Sequence, residues 1–192
     1  MKIYLNEVVV IDKKSKIRAS SFLGFVFSLI AGTFLHFAFK KSGGNTIVAV
    51  VAPVNESVWE HLKLLFFPSV IYFVFEFAIF RINARNFCSA RLFSLFIGLI
   101  FTVVTFYLYT GVLGENYFLA DVGIFILSVV ITYSLSSKLI TEEKIFLSDN
   151  NTISFLLLAT ALTILFIYFT FHPPMFELFK DPISEDFGII LP

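Results

Sequence analysis

Long apolar runs separated by short polar segments dominate the chain. A helix needs about 20 predominantly apolar residues to cross the hydrocarbon core of a membrane. Four runs reach that length easily, and a fifth does so although Lys63, Pro68 and Glu76 interrupt it. The runs are Ala19–Phe39, Leu62–Phe80, Leu92–Val112, Tyr117–Leu135 and Thr152–Phe171. The pattern predicts an all-α, polytopic membrane protein with five transmembrane helices.

Three local features refine this pattern. Thr46–Ala52 is apolar but too short to span, so it is expected to be a re-entrant or interfacial segment between the first two helices. Pro68 lacks an N–H, which predicts a kink near Leu64 and Leu65. The β-branched run Val8–Ile11 fits either a short strand or an interfacial stretch, and the sequence leaves both open.

The basic residues predict the orientation of the helices. If the N-terminus is inside, every arginine and most lysines fall in inner segments, as the positive-inside rule requires. This predicts an N-in, C-out protein of the cell membrane. Residues 1–18 form a cytoplasmic segment, 19–172 the five-helix membrane domain and 173–192 an extracytoplasmic tail. The first apolar run is expected to be an uncleaved span rather than a signal peptide.

Composition narrows the function classes. Apolar residues make up 58% and charged residues 15% of the chain, against norms of about 45–50% and about 25% for soluble domains. The formal net charge is zero and no basic-aromatic pattern occurs, so no nucleic-acid partner is expected. Cys88 is the single cysteine, which excludes an intrachain disulfide and favours an inert thiol.

The predicted topology places all three histidines at the outer edge of the membrane, together with several acidic side chains. Imidazole and carboxylate groups are the ligands of zinc and similar divalent ions. We therefore predict a metal site in which one glutamate completes the ligand set and the other is the general base. The candidate ligands are His36, His61, Asp121 and His172, and the candidate catalytic residues are Glu60 and Glu56.

A structural role for the same region is the alternative. Asn55 is a suitable helix N-cap, Trp59 suits the interfacial aromatic belt, and Lys63 extends a polar stripe along the helix. Glu76 is expected to snorkel or to pair with an inner arginine such as Arg81. The tail after the Pro173-Pro174 pair is expected to anchor at the outer leaflet or to cover the polar site as a lid.

Two blocks carry a resemblance to a known family. They are Val54-Asn55-Glu56-Ser57-Val58-Trp59-Glu60-His61-Leu62-Lys63-Leu64-Leu65-Phe66-Phe67-Pro68 and the ending Phe169-Thr170-Phe171-His172-Pro173-Pro174, followed by Leu178-Phe179-Lys180-Asp181-Pro182 and Phe187-Gly188-Ile189. The chain resembles an uncharacterised family of small bacterial multi-pass membrane proteins, a domain-of-unknown-function family. The resemblance implies a multi-pass membrane protein and no particular chemistry.

Three functions are compatible with these features. The leading hypothesis is a metal-dependent, membrane-embedded hydrolase with its site at the outer face, acting on a lipid or lipid-linked substrate. The second is a small-solute carrier or binding protein that uses the same polar pocket. The third is a non-catalytic membrane protein that acts through partners, in which the polar residues only lock the helices together.

Overall fold

Six α-helices follow one another in the part of the chain that the structure describes, and a short 3₁₀ turn follows the last. The computed structural model describes residues 2–80, 82, 84, 86–143 and 149–189. The helices are α1 (Lys2–Lys41), α2 (Thr46–Ala49), α3 (Val58–Phe80), α4 (Phe87–Leu113), α5 (Phe118–Glu142) and α6 (Asp149–Phe171), and the 3₁₀ turn is Glu177–Phe179. Five of them, all except α2, contain segments that are long and apolar enough to cross a membrane, which confirms the predicted number of spans.

Two boundaries differ from the sequence expectation. Helix α1 continues from the first span back to Lys2, so the alternative of a strand over Val8–Ile11 is wrong. Helix α4 begins at Phe87 rather than Leu92, which puts Arg91 inside the helix. Polar residues can continue a helix, so α1 and α4 extend beyond the apolar runs that predicted them.

Helix α3 is the centre of the bundle, and α6 lies at its edge. α1 packs against α3 and α5, α4 packs against α5 and α3, and α6 contacts α4 and, less extensively, α3. Most of the apolar window of α3 is buried, whereas most of α6 is exposed. In a membrane the exposed leucines of α6 face lipid, and the polar chemistry of the protein concentrates around α3.

Close approach of α1 to α3 occurs where α3 contains its proline. Pro68 has no N–H to donate to the Leu64 carbonyl, the usual partner one turn earlier. A Cβ placed on Gly32 would lie only 2.6 Å from this carbonyl oxygen, so glycine is what permits the contact. Residues three or four apart share a helix face, and the Gly32–Leu64 contact therefore brings His36 opposite His61.

The segment between α1 and α3 folds back onto the bundle. Asn45 caps α2 by accepting a hydrogen bond from the Ile47 N–H at 2.8 Å, and Ala49 and Ala52 are buried. Four helical residues cannot cross a bilayer. As predicted for Thr46–Ala52, this segment is too short to span.

Candidate metal centre

Three of the predicted site residues come together at one end of the bundle. His36 near the end of α1, Glu56 in the loop before α3 and His61 in the first turns of α3 each offer one ligand atom. These three atoms all lie within 4.8 Å of one another. The two imidazole ring centroids are 5.1 Å apart, and His61 Nε2 lies 3.3 Å from Glu56 Oε2. Residues from three successive chain segments thus form one compact donor set.

Local hydrogen bonding selects the nitrogen that His61 presents. Its Nδ1 lies 3.0 Å from the Ser57 carbonyl oxygen, which can only accept, so Nδ1 carries the hydrogen. The lone pair of neutral His61 is therefore on Nε2, the atom that faces Glu56. Metal-binding histidines commonly donate their second nitrogen to a backbone carbonyl in this way, which fixes the ring and its tautomer.

His36 has an unsatisfied atom beside this cluster. Its Nδ1 is buried and makes no hydrogen bond. A buried polar atom without a partner costs about 1–3 kcal/mol, and coordination of an ion by the His36 ring would fix its orientation beside His61 and offset part of that cost.

The charge of Glu56 is favoured by its surroundings. When His61 is protonated, its Nε2–H donates to Glu56. This hydrogen bond lowers the pKa of the Glu56 carboxyl, the positive charges of His61, His36 and Lys40 act in the same direction, and partial burial opposes them. Glu56 is exposed and reaches the cluster from the loop side. An ionised carboxylate beside two imidazoles is a donor set that suits a divalent cation.

Asp121 and His172 are not part of this group among the residues that the structure describes. Asp121, in the first turn of α5, accepts hydrogen bonds from the Tyr109 hydroxyl and, at 3.2 Å, from Asn116 Nδ2. Its charge still contributes to the electrostatic field at His61. His172 is exposed and stacks on Tyr168 with ring centroids 5.1 Å apart. His172 therefore provides an internal control for the cluster.

Glu60, predicted as the general base, points into a different network. Its carboxylate accepts from Lys63 Nζ at 2.6 Å, from Thr170 Oγ1 at 3.0 Å and from the Val54 N–H at 3.1 Å. Lys63 also donates to the carbonyl oxygens of Ala49 and Ala52. The polar stripe expected for Lys63 is thus a buried ion pair that ties α3 to α2 and α6.

The tail covers the start of α3 rather than lying apart from it. The Asp181 carboxylate accepts from the Glu56 N–H at 3.1 Å, and Asn55 Nδ2 donates to the Gly188 carbonyl at 3.0 Å. Trp59, expected in an interfacial belt, is buried against rings that include Phe166 and Phe179. The packed tail therefore holds the loop that carries Glu56.

The N-cap of α3 differs from the expectation. Asn55 does not cap α3: its side chain accepts from the Ser57 N–H, and Ser57 Oγ in turn accepts from the Glu60 N–H at 3.3 Å. The N-cap is therefore Ser57, at the capping-box spacing from Glu60, although the Glu60 carboxylate bonds the Val54 N–H instead of the Ser57 N–H. The spacing of Ser57 and Glu60 can be read from the sequence. The same capping turn positions the Ser57 carbonyl oxygen, to which His61 Nδ1 donates.

A second charged site lies at the opposite end of the bundle. Glu76 pairs with Arg91 of α4, and both side chains are buried. The partner is thus an inner arginine, as the alternative to snorkelling predicted, but it is Arg91; Arg81, the example suggested, lies outside the described residues. The available signal was that an acid inside a span needs a partner at its own depth, and Arg91 lies one turn inside the next helix.

Five membrane-length apolar helices around buried polar clusters define a multi-pass helical membrane protein. The chain belongs to a family of unknown function, DUF6512, whose model matches residues 11–189. This agrees with the resemblance to an uncharacterised membrane protein family. No curated protein matches the chain. No solved structure matches it either.

Proposed function

We propose that this protein is a metal-dependent, membrane-embedded hydrolase that holds a divalent ion such as zinc between His36, Glu56 and His61. The convergence of these three ligand atoms within 4.8 Å is the observation that carries the proposal. Two histidines and one glutamate form a ligand set known from catalytic zinc sites, in which water takes the fourth position.

The distances require little rearrangement. In a tetrahedral zinc site with bonds of about 2.0–2.1 Å, neighbouring ligand atoms are about 3.3 Å apart. His61 Nε2 and Glu56 Oε2 already have that separation, 3.3 Å. His36 then has to approach by a small side-chain rotation, and its buried Nδ1 has no competing partner.

Each residue receives a role in this proposal. The three ligands would hold the ion, and a bound divalent ion would supply an activated water and Lewis-acid polarisation of the bond to be cleaved. Glu60 is held by Lys63, so it is not free to act as the base. The Asp121 carboxylate is likewise engaged, by the Tyr109 hydroxyl and Asn116 Nδ2, so it is not assigned that role either.

The position of the cluster points to the substrate class. His36 and His61 lie near the ends of membrane-length helices, at the level where lipid head groups meet water. The Lys40 ammonium is close enough to act on Glu56 electrostatically. We therefore propose a lipid or lipid-linked substrate with an anionic head group, cleaved at the surface of the membrane predicted to be the outer one.

Metal analysis of the purified protein tests the site. After incubation with micromolar zinc and gel filtration in detergent, wild type should retain about one zinc per chain, and His36→Ala and His61→Ala should reduce affinity by at least about tenfold. The matched control is His172→Ala, which removes an exposed histidine outside the cluster and should bind like wild type. Equal zinc in all four proteins, or none in wild type, would refute the site.

A separate experiment tests hydrolysis. Wild type in nanodiscs made from bacterial lipid extract, with zinc or with EDTA, is followed by mass spectrometry for released head groups. We expect zinc-dependent products that disappear in His36→Ala and His61→Ala and persist in His172→Ala. Zinc binding without any such product would leave a structural metal and refute the enzymatic role.

A carrier that uses the same end of the bundle is the second candidate. A group of buried hydroxyls lies between the levels of the metal cluster and Glu76, because Ser28 lies 2.8 Å from the Tyr133 hydroxyl and 3.5 Å from Ser69 Oγ. A carrier should transport zinc into proteoliposomes loaded with a fluorescent chelator, whereas the proposed hydrolase should not.

A further inference from the structure

A basic groove lies on the surface of α1, at the point where the first apolar run begins. The groove has a volume of about 530 Å³, is open to its surroundings, and is lined by Lys14, Ser15, Arg18 and Ala19. All four residues are exposed. Because the apolar run starts at Ala19, the basic groove lies at the level where a membrane-spanning helix leaves the hydrocarbon and meets the lipid head groups.

The opposite face of α1 is the one that packs into the bundle. Ile17 is completely buried and belongs to a cluster that includes Phe87 at the start of α4 and Ile140 near the end of α5. A helix turns by about 100° per residue, so Ile17 and Ser15 lie on opposite sides of α1. The basic groove therefore faces away from α4 and α5, toward the surrounding lipid.

The two cations of the basic groove have no counter-charge in the part of the chain that the structure describes. Their neighbour Lys13 pairs with Glu143 at the end of α5. Among the described residues, no carboxylate forms an ion pair with Lys14 or Arg18. Residues four apart share a helix face, so two uncompensated positive charges lie next to each other and attract an anion from outside the chain.

An apolar surface continues from the basic groove into the span. Phe22 lies four residues after Arg18 and eight after Lys14, so the three side chains form one stripe along the helix. Phe22 is 65% exposed, and Leu23 beside it is 50% exposed. Positive charge at the head-group level, followed by exposed apolar side chains within the span, is complementary to an anionic phosphate that carries acyl chains.

We propose that the basic groove binds one anionic phospholipid from the leaflet at this end of α1. Its phosphate pairs with the Lys14 ammonium and the Arg18 guanidinium and accepts a hydrogen bond from the Ser15 hydroxyl, while an acyl chain lies along Phe22. The N–H fork of a guanidinium matches the oxygens of a phosphate. Clusters of four or more basic residues directly before a span are a common means of recognising anionic lipids. The cluster here is Lys13, Lys14, Lys16 and Arg18.

Charge favours this occupant over two others. In a symmetric dimer formed through the basic groove, two copies of the same positive surface would face and repel each other. A zwitterionic phospholipid has a phosphate as well, but its ammonium group would lie near the two cations and offset part of the attraction. An anionic phospholipid supplies the missing negative charge without this repulsion.

The basic groove is independent of the proposed hydrolase site. Arg18 and His36 are 18 residues apart on α1, which corresponds to about 27 Å along the helix axis. Lipid binding at the groove requires neither zinc nor hydrolysis. The two proposals can therefore fail separately.

Lipid titration followed by native mass spectrometry tests the basic groove. The purified full chain in mild detergent is titrated with dioleoylphosphatidylglycerol and, separately, with dioleoylphosphatidylcholine, which has the same acyl chains and no net charge. The variants are Lys14→Gln and Arg18→Gln, since glutamine keeps a high helix propensity. The matched control is Lys16→Gln, which removes the same charge from an exposed position of the same helix segment that does not line the groove.

We expect the phosphatidylglycerol to bind at least about tenfold more tightly than the phosphatidylcholine, because two basic residues contact its head group. Lys14→Gln and Arg18→Gln should each reduce the affinity for phosphatidylglycerol about fivefold, whereas Lys16→Gln should change it by less than about twofold. Ala19→Phe fills the groove without changing its charge, and it should also reduce the affinity.

Three results would contradict the proposal. Equal affinity for the two lipids would overturn the anionic head group. Equal losses in Lys14→Gln, Arg18→Gln and Lys16→Gln, or full binding in Ala19→Phe, would mean diffuse attraction to surface charge and overturn the groove as the site. Displacement of the phosphatidylglycerol by an equal concentration of inorganic phosphate would identify a site for free anions and overturn the lipid as its occupant.

Discussion

Replacing Lys63 by methionine should destabilise the protein severely, although the substitution is apolar and the region lies in a membrane. Lys63 is 0% and Glu60 2% exposed. Methionine leaves the Glu60 carboxylate buried with only the Val54 N–H and the Thr170 hydroxyl as donors. Removing one partner of a buried ion pair costs about 3–5 kcal/mol. The Ala49 and Ala52 carbonyls lose a donor as well, which favours the upper part of that range.

The double variant Glu60→Gln/Lys63→Met tests whether the loss of stability in Lys63→Met comes from leaving the Glu60 charge buried without its partner. Once both charges are gone, no uncompensated ion stays buried, and replacement of a whole buried pair is often close to neutral. We expect the double variant to recover at least about 2 kcal/mol relative to the sum of the two single variants. Lys41→Met, the same substitution at an exposed lysine at the same end, should change the free energy of unfolding by less than about 1 kcal/mol.

Trp59 provides the assay. It is the single tryptophan of the chain, and it lies next to Glu60 and packs against α6 and the 3₁₀ turn. Its fluorescence during thermal unfolding in mild detergent should show a decrease of about 6–20 °C in Tm for Lys63→Met, at about 2–4 °C per kcal/mol. Single variants that unfold like Lys41→Met, or a double variant whose loss equals the sum of the singles, would refute the assignment of a coupled buried pair.

Two further results are expected. Gly32→Ala should destabilise by about 1–3 kcal/mol and weaken zinc binding, because its Cβ would lie 2.6 Å from the Leu64 carbonyl oxygen. Gly123→Ala should do neither, because a Cβ there meets nothing within 4 Å. Equal unfolding of the two variants would contradict the close helix contact. Bound zinc should be released as the pH falls through the range of about 7 to 5, because histidines must lose their protons to bind metal; the lowered pKa of Glu56 keeps that carboxylate ionised throughout, so zinc retained down to about pH 4 would contradict histidine ligation.

The number of spans could be predicted because it depends on length and apolarity alone. Each crossing needs about 20 apolar residues whatever the neighbouring helices do, and the interrupted run around Pro68 still satisfied this requirement. Helix ends were less predictable, since α1 continues through the polar stretch before Ala19. The N-in, C-out orientation stays a prediction that reporter fusions after Lys138 and at the C-terminus can test.

The end of the bundle at which the site residues lie could also be predicted, but rotation about the helix axis could not. The sequence placed His36, His61, Asp121 and His172 at one level, and only the first two share the cluster with Glu56. Which residues face each other depends on a contact distant in sequence, the approach of Gly32 to the Leu64 carbonyl. Tyr168 lies one helical turn before His172, so that contact could be read from the sequence. The contact between Tyr109 and Asp121 joins two helices and could not.

The two buried ion pairs differ in how completely their hydrogen bonds are made. Lys63 has oxygen partners from Glu60, Thr170, Ala49 and Ala52, so its three N–H donors are all used. The pair of Glu76 and Arg91 is equally buried but leaves Nε and Oε2 without partners. Burying a charge is tolerated when its hydrogen bonds are complete. Completeness of hydrogen bonding, rather than burial or charge, therefore separates the two ion pairs.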